Sequence, residues 1–206
     1  MKSQVILLLI CMLFSKALSL SCQMCSTTSG PCPNTQTGTC PDQCLTSTVS
    51  VNISGTTLTN WYLKSCNMTE LCGSGSLNLG VVKVTNNGQC CGTDLCNTET
   101  PSVLPKQDPN GRTCYTCDAN SCSGKVSCTG NEDRCISGSF QPLANTVPLK
   151  GCASQNLCIG SGSVSLLGIT ISDVKCCEGN LCNGAESFTL SFLLMLVPLL
   201  SSVLFY

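Results

Sequence analysis

The stretch that decides the fold is Cys90-Cys91-Gly92-Thr93-Asp94-Leu95-Cys96-Asn97, which returns as Cys176-Cys177-Glu178-Gly179-Asn180-Leu181-Cys182-Asn183. Each copy is a vicinal cysteine pair, four further residues and then Cys-Asn. The second copy lies 86 positions after the first (176 − 90), and segments 71–97 and 157–183 match without a gap. Self-similarity at a fixed spacing indicates an internal repeat. The chain therefore contains two copies of one small module.

The cysteines upstream of these stretches repeat in the same order, at offsets that drift between 88 and 92 as loop insertions would produce. Each copy has ten cysteines. In the first they are Cys22, Cys25, Cys32, Cys40, Cys44, Cys66, Cys72, Cys90, Cys91 and Cys96. In the second they are Cys114, Cys117, Cys122, Cys128, Cys135, Cys152, Cys158, Cys176, Cys177 and Cys182.

The first 19 residues have the composition of a secretory signal peptide. Lys2 precedes an apolar run, and Ala17-Leu18-Ser19 is a small-x-small cleavage site. An uncleaved N-terminal membrane anchor is the alternative. Cleavage removes Cys11 and leaves twenty of the twenty-one cysteines, an even number in an oxidising compartment.

The last 19 residues, Phe188 to Tyr206, are almost wholly apolar. They contain Pro198 and have no basic flank, so a transmembrane helix is the less favoured interpretation. Small residues, a short spacer and an apolar tail at the end of the chain are typical of a signal for a glycosylphosphatidylinositol (GPI) anchor. We predict Asn183 as the attachment residue, with Gly184 next, and residues 184–206 as the removed propeptide.

Between these ends, the sequence predicts module 1 over residues 20–97, a linker over 98–111 and module 2 over 112–183. The linker contains three prolines and is predicted to be semi-extended and exposed. In module 1, alternation over residues 45–53 predicts a strand with one buried face, and Ser54-Gly55 predicts the turn of a hairpin.

Further along module 1, Leu77 to Thr85 is predicted to be extended and Asn86-Asn87-Gly88 to be a turn. Val164 to Ile171 takes the extended part in module 2. Gly73–Ser76 and Gly160–Ser163 are predicted as loops. The middle hairpin of module 2, Cys135 to Gly151, contains two prolines and is expected to be irregular. No helix is predicted.

Composition indicates how such modules hold together and what they do not do. Segment 20–183 has only four aromatic residues, and a chain of this size buries too little surface to offset its conformational entropy without cross-links. Charged residues are 10% of the sequence, the net charge is −1 and histidine is absent. Nucleic acid is therefore a poor candidate for a partner, and the commonest general base and zinc ligand is missing.

The cysteine order and the closing Cys-Cys-x4-Cys-Asn resemble the three-finger family of lymphocyte antigen six and the urokinase receptor, over nearly the whole mature chain. The resemblance implies an all-β, small, disulfide-rich fold with two tandem three-finger domains. It implies the pairs Cys22–Cys44, Cys25–Cys32, Cys40–Cys66, Cys72–Cys90, Cys91–Cys96, Cys114–Cys135, Cys117–Cys122, Cys128–Cys152, Cys158–Cys176 and Cys177–Cys182. It also implies that Asn97 and Asn183 tie the last loop of each module to its central sheet.

Few residues suggest chemistry. The Cys-x-x-Cys motifs at Cys22 and Cys114 are better explained by structural disulfides than by redox or zinc chemistry. Asp94 and Glu70 have no partner at catalytic spacing, so surface charge is the better interpretation. We predict no enzymatic activity, no metal and no cofactor.

Three features bear on recognition. Asn52-Ile-Ser54 and Asn67-Met-Thr69 are glycosylation sequons, so Asn52 and Asn67 are predicted glycan sites. Trp61 and Tyr62 form the one large aromatic pair and are either core residues or anchors for a protein partner.

The sequence therefore predicts a GPI-anchored protein on the outer face of the plasma membrane that binds an extracellular protein ligand or a neighbouring receptor through its fingers. Two-domain members of the family that it resembles include secreted gamma-type inhibitors of phospholipase A2, so a secreted inhibitor is the alternative. A toxin-like modulator of an ion-channel receptor rests on analogy of fold alone.

Overall fold

The computed structural model describes residues 19–68, 71–118, 120–141, 146–158, 162–166 and 169–184, with the backbone alone for 162–166 and 169. Module 1 contains β1 Leu20–Thr27, β2 Gln36–Cys40, β3 Cys44–Ile53, β4 Thr56–Cys66, β5 Gly73–Asn78 and β6 Val82–Cys91. Module 2 contains β7 Pro109–Thr116, β8 Gly124–Thr129, β9 Arg134–Phe140, β10 Val147–Ala153, β11 Gly162–Leu166 and β12 Ile169–Cys177. A single turn of 3-10 helix, Gln155–Cys158, follows β10.

Each module is built from three antiparallel hairpins, the fingers: β1–β2, β3–β4 and β5–β6 in module 1, and β7–β8, β9–β10 and β11–β12 in module 2. Ten strands form one sheet in the order β11-β12-β9-β10-β5-β6-β3-β4-β1-β2, and β7 and β8 form a second sheet. The predicted all-β, disulfide-rich tandem fold is confirmed.

The middle finger of module 1 is buried on both faces, not on one as the alternation predicts. Leu45 and Val49 are buried on one face, and Thr46 and Thr48 are buried on the other. Both threonine hydroxyls donate to the linker: Thr46 to the carbonyl of Glu99 (2.8 Å) and Thr48 to that of Pro101 (2.6 Å). The polar face is therefore covered by the linker.

The linker differs correspondingly from its prediction. Pro101 is buried, and β7 already begins at Pro109, inside the predicted linker range. Asn87 of β6 also donates to the carbonyl of Ser102 at 2.8 Å. The beginning of the segment is thus a strap bound to β3 and β6, and the prediction of an exposed linker is wrong there.

The third finger of module 1 overturns two local predictions. Gly73–Ser76, predicted as a loop, lies in β5, and Asn86-Asn87-Gly88, predicted as a turn, lies within β6. The Asn86 amide is buried and donates to the carbonyls of Leu71 (2.9 Å) and Gly73 (2.8 Å). A Cβ at position 88 would lie 1.7 Å from the Leu71 carbonyl oxygen. Tertiary contacts thus use these residues as a fastener and a close-approach site, although they favour turns locally.

The proline-containing middle finger of module 2 is more regular than predicted. Strands β9 and β10 pair without interruption from Val147 opposite Phe140 to Ala153 opposite Arg134. Pro148 lies on the part of β10 that has no second partner strand, so its missing N–H breaks no ladder. Pro142 lies outside the described residues. The predicted loop over 160–163 is also too long, since β11 begins at Gly162.

The two modules are joined by strand pairing. In β10, Cys152 pairs with Asn78 and Ala153 with Leu77 of β5, and the Ser154 N–H donates to the Ser76 carbonyl at 2.9 Å. One aliphatic cluster is shared by both modules. Its buried members are Leu45, Leu71, Leu77, Ile136, Leu149, Ala153, Leu157 and Ile171.

A buried carboxylate completes the junction. Glu132 of module 2 is 0% exposed and lies 2.9 Å from the Lys83 ammonium of module 1. It also accepts hydrogen bonds from the Ser76 hydroxyl (2.5 Å), the Asn78 amide (3.3 Å) and the Thr129 backbone N–H (2.7 Å). A carboxylate is tolerated in the interior only when it is paired in this way, so Glu132 locks module 2 to the third finger of module 1.

We predict that Glu132→Ala lowers the free energy of unfolding by about 3 kcal/mol, because it leaves Lys83 and the Thr129 N–H without their partner. Denaturant unfolding with the disulfides intact, followed by the fluorescence of Trp61, measures this change. The matched control is Glu178→Ala, since that side chain pairs with Arg134 but is 72% exposed; its expected cost is below about 1 kcal/mol. Equal costs for the two variants would contradict the proposed lock.

Candidate functional site

Ten disulfides form the frame that carries the fingers. The structure joins Cys22–Cys44, Cys25–Cys32, Cys40–Cys66, Cys72–Cys90, Cys91–Cys96, Cys114–Cys135, Cys117–Cys122, Cys128–Cys152, Cys158–Cys176 and Cys177–Cys182. These are the pairs that the resemblance implies. Seven of the half-cystines are 0% exposed, and they form a buried sulfur cluster, here called the knot, at the base of each module.

The knot of module 2 brings three sulfur atoms to metal-binding distance. Those of Cys114, Cys128 and Cys152 lie within 4.8 Å of one another. Each belongs to a disulfide, and thiolate is the form of cysteine that binds metal. This cluster is therefore packing, and the same applies to both Cys-x-x-Cys motifs.

A buried asparagine closes each module. The Asn97 amide donates to the carbonyls of Gln23 (2.8 Å) and Leu45 (2.9 Å), and its oxygen accepts the Gln23 N–H (2.9 Å). Asn183 makes the equivalent bonds to Tyr115 (3.0 and 2.9 Å) and to the Ile136 carbonyl (2.8 Å). Each asparagine thus ties the end of its module to the first and middle fingers.

Three ionisable groups also serve the frame. Asp94 accepts the Ser21 N–H at 2.8 Å, as Asn180 accepts that of Thr113 at 3.0 Å, so Asp94 is a loop cap; Glu70 lies outside the described residues. Burial lowers the pKa of Lys64, whose ammonium donates to the Gln23 side chain and the Thr98 carbonyl.

The Asn120 and Ser121 N–H groups donate to Asp118 and hold the pKa of its carboxyl below the usual value. These bonds stabilise a loop in the first finger of module 2.

The tips of the middle and third fingers of module 1 expose three apolar side chains, Ile53, Leu58 and Val81, which we call the fingertip patch. Their exposed fractions are 41%, 66% and 60%. The Ser54 N–H donates to the Val81 carbonyl at 2.8 Å and fastens one tip to the other. Exposed apolar groups on a fixed frame are typical of a protein-binding surface.

The sequence pattern misses most of this patch. It assigns Ile53 to the buried strand face and does not single out Leu58 or Val81. Leu58 is an extra residue in β4, because Thr57 pairs with Asn52 and Thr59 with the preceding Val51. Such a bulge re-aims a side chain without leaving a readable pattern.

Trp61 and Tyr62 lie farther along β4, in the stem of the finger. Both are half-buried, and the Trp61 indole donates to the Ser26 hydroxyl at 2.7 Å. Tyr62 is opposite Thr48 and Thr27. These aromatic rings thus brace the finger against β1 and retain partial exposure.

A cleft of about 430 Å³ lies beside the fingertip patch, at the junction of the modules. One wall is a single face of the module 1 sheet, in which Asn52 stands opposite both Thr57 and Lys83. The remaining wall comes from the linker and β8: Val103, Leu104, Pro105, Lys106, Gln107, Val126 and Thr129. Of the predicted glycan sites, Asn52 lines this cleft, whereas Asn67 lies near the knot, where its N–H donates to the Gln43 carbonyl.

The geometry is that of two three-finger modules fused into one sheet, each presenting loops from a disulfide knot. The u-PAR/Ly-6 domain model matches residues 18–99 and 110–185. The chain therefore belongs to the u-PAR/Ly-6 domain family.

Curated relatives of two kinds share this sequence pattern. Over 79 residues the chain is 32% identical to the urokinase plasminogen activator surface receptor of Aotus trivirgatus, covering 34% of this chain and 24% of that protein. Over 107 residues it is 31% identical to a gamma-type phospholipase A2 inhibitor of Gloydius brevicaudus siniticus, covering 46% of this chain and 54% of that protein. The match thus spans between about a quarter and about half of these relatives' length. The crystal structure of mouse TEX101 aligns with 78% of this chain and 99% of that chain, at 16% identity and a TM-score of 0.31.

The described residues contain no helix long and apolar enough to cross a bilayer. The apolar run that ends the sequence lies outside them, as do the predicted signal peptide and most of the predicted propeptide. The predicted attachment residue Asn183 is buried, and the N–H of the following Gly184 donates to the Leu181 carbonyl.

We predict that Asn97→Ala destabilises the protein by about 1–3 kcal/mol, because it leaves backbone groups of Gln23 and Leu45 without a partner. Thermal melting gives the overall change, and hydrogen exchange at the Gln23 amide localises it. Asn34→Ala is the control, since Asn34 is exposed on the first finger. An Asn97 variant as stable as the Asn34 variant would disprove the role of the closing asparagine.

Proposed function

We propose that this protein is a non-catalytic recognition protein of the outer cell surface, held there by a GPI anchor, which binds a protein ligand or a neighbouring receptor through the fingertip patch. The single observation that carries this proposal is the exposure of Ile53, Leu58 and Val81 on finger tips that are fastened to each other. Burying such groups against a partner releases about 25 cal/mol for each Å² of apolar surface.

The frame favours recognition because it lowers the cost of ordering the fingers. Disulfides hold the base of each finger, and the strap over residues 98–102 covers the middle finger of module 1. A loop that is already ordered loses little conformational entropy on docking, so more of the contact energy appears as affinity. Trp61 and Tyr62, braced along the same finger, are proposed as a secondary contact.

The anchor part of the proposal rests on the end of the sequence. Asn183-Gly184-Ala185 supplies small residues before the apolar tail. A GPI anchor joins the backbone carbonyl of its attachment residue, so it leaves an asparagine side chain in place. Attachment at Asn183 is therefore compatible with the hydrogen bonds that its amide makes to Tyr115 and Ile136.

A secreted inhibitor of phospholipase A2 is the second candidate. It is favoured by the length of the match to the gamma-type inhibitor of Gloydius brevicaudus siniticus, 107 residues against 79 for the receptor. In that case the fingers would bind the enzyme, and the same patch would be its contact surface.

The first test uses intact cells that express the full-length chain. We expect phosphatidylinositol-specific phospholipase C to release the protein into the medium, because the enzyme cuts the lipid from a GPI anchor. Replacing residues 185–206 with an unrelated transmembrane segment gives the control, which the enzyme should leave on the cell. Protein in the medium without the enzyme, together with inhibition of a secreted phospholipase A2, would favour the second candidate.

The second test concerns the fingertip patch. We predict that Leu58→Ser and Val81→Ser each weaken binding of the labelled, lipase-released protein to cells by about tenfold, as loss of an interface anchor does. Val147→Ser is the matched control, because Val147 is 37% exposed at the far end of β10 in module 2. Circular dichroism should be unchanged in all three variants. Undiminished binding by both fingertip variants would exclude the patch.

A further inference from the structure

The cleft at the module junction has a wall that carries its own attachment point. Asn52, the first residue of a glycosylation sequon, lines the cleft together with Thr57 and Lys83, which stand opposite it in the sheet. We propose that the N-linked glycan on Asn52 lies in this cleft, with its first sugars packed between the module 1 sheet and the linker. The proposal rests on the secretory route of the proposed function, which supplies the glycan.

The Asn52 side chain is oriented for this purpose. The Thr57 hydroxyl donates to the Asn52 Oδ1 at 2.8 Å. This bond fixes the amide and leaves Nδ2, the atom to which an N-linked sugar is joined, for the glycan. Because Asn52, Thr57 and Lys83 share one face of the sheet, a chain of sugars leaving Nδ2 begins on the cleft side.

The lining of the cleft suits a sugar better than a purely apolar ligand. Val81, Val103 and Pro105 offer apolar surface to the C–H faces of pyranose rings, and the first two side chains are 60% and 39% exposed without it. Thr85 and Gln107 offer hydroxyl and amide groups to sugar hydroxyls and acetamido groups. The volume of about 430 Å³ falls in the range of about 300–1,000 Å³ that is usual for small-molecule sites.

Covalent attachment also favours the glycan over a peptide or a second copy of the chain. A group tethered at the wall of a cleft has a high effective concentration there, so weak contacts suffice to keep it in place. Seated in this way, the glycan would bridge β3 of module 1 and the segment 103–107, which leads into module 2. It would then support the same junction that Glu132 and Lys83 hold from the other side of β8.

The test compares the Asn52 glycan in the native and in the denatured protein. Full-length protein is expressed in mammalian cells and released by the lipase, and occupancy is read by mass spectrometry of glycopeptides. An endoglycosidase that cuts between the first two N-acetylglucosamines is then applied. We expect cleavage at Asn52 to be at least tenfold slower in the native protein than after reduction and denaturation.

Two variants separate a seated glycan from a merely crowded one. Val103→Asp keeps the sequon but removes apolar surface from the opposite wall, so native cleavage at Asn52 should approach the denatured rate. Asn52→Gln should speed hydrogen exchange in segment 103–107, whereas Asn67→Gln, which removes the sequon outside the cleft, should not.

The inference is overturned if Asn52 carries no glycan, or if its glycan is cut equally fast in native and denatured protein. It is also overturned if Asn52→Gln leaves exchange in segment 103–107 unchanged. None of these results bears on the release of the protein by the lipase or on binding by the fingertip variants. Failure of the glycan inference is thus distinguishable from failure of the proposed function.

Discussion

Covalent sulfur bridges are the constraint on which the rest of this structure depends. The buried clusters inside each module consist mainly of half-cystines: Cys22, Cys40 and Cys44 in one, and Cys114, Cys128, Cys135 and Cys152 in the other. The aliphatic cluster instead joins the modules, since Leu45, Leu71 and Leu77 pack with Ile136, Leu149 and Ala153. Sulfur therefore stabilises each module internally, and hydrophobic burial is concentrated where the modules meet. Since either module alone would expose its half of the aliphatic cluster, the natural folding unit is the pair.

Polar groups contribute to this junction as much as aliphatic ones. The Glu132 carboxylate is buried, yet hydrogen bonds from Ser76, Asn78 and Thr129 satisfy its oxygens beside the Lys83 ammonium. Ser76 and Ser154 exchange further bonds across the interface. Hydrogen bonds require a particular register, whereas aliphatic contacts tolerate sliding. The polar set thus determines how the third finger of module 1 sits on module 2, and the aliphatic set supplies most of the area.

Patterns that depend on covalent chemistry were readable in the sequence, and patterns that depend on tertiary contact were not. The repeat and the cysteine order predicted the two-module, all-β fold, and the resemblance implied the closing role that Asn97 and Asn183 have in the structure. Asn86-Asn87-Gly88 failed as a turn because the third finger needs a buried amide and a residue without Cβ beside Leu71. Thr46 and Thr48 failed as an exposed face because the linker returns over them. The fingertip patch was missed because a bulge at Leu58 has no signature in hydrophobic periodicity.

Fusion of the modules changes what recognition by this protein requires. Two modules on a flexible linker could adjust to partners of many shapes, and their avidity would depend on linker length. Here the strap on Thr46 and Thr48, the β5–β10 pairing and the Glu132 pair hold the two sets of fingers in one arrangement. A partner must then match that arrangement, so specificity arises from the spacing between modules as well as from the side chains at each tip. A substitution at the junction, far from every finger tip, would alter binding by changing that spacing and without removing any contact.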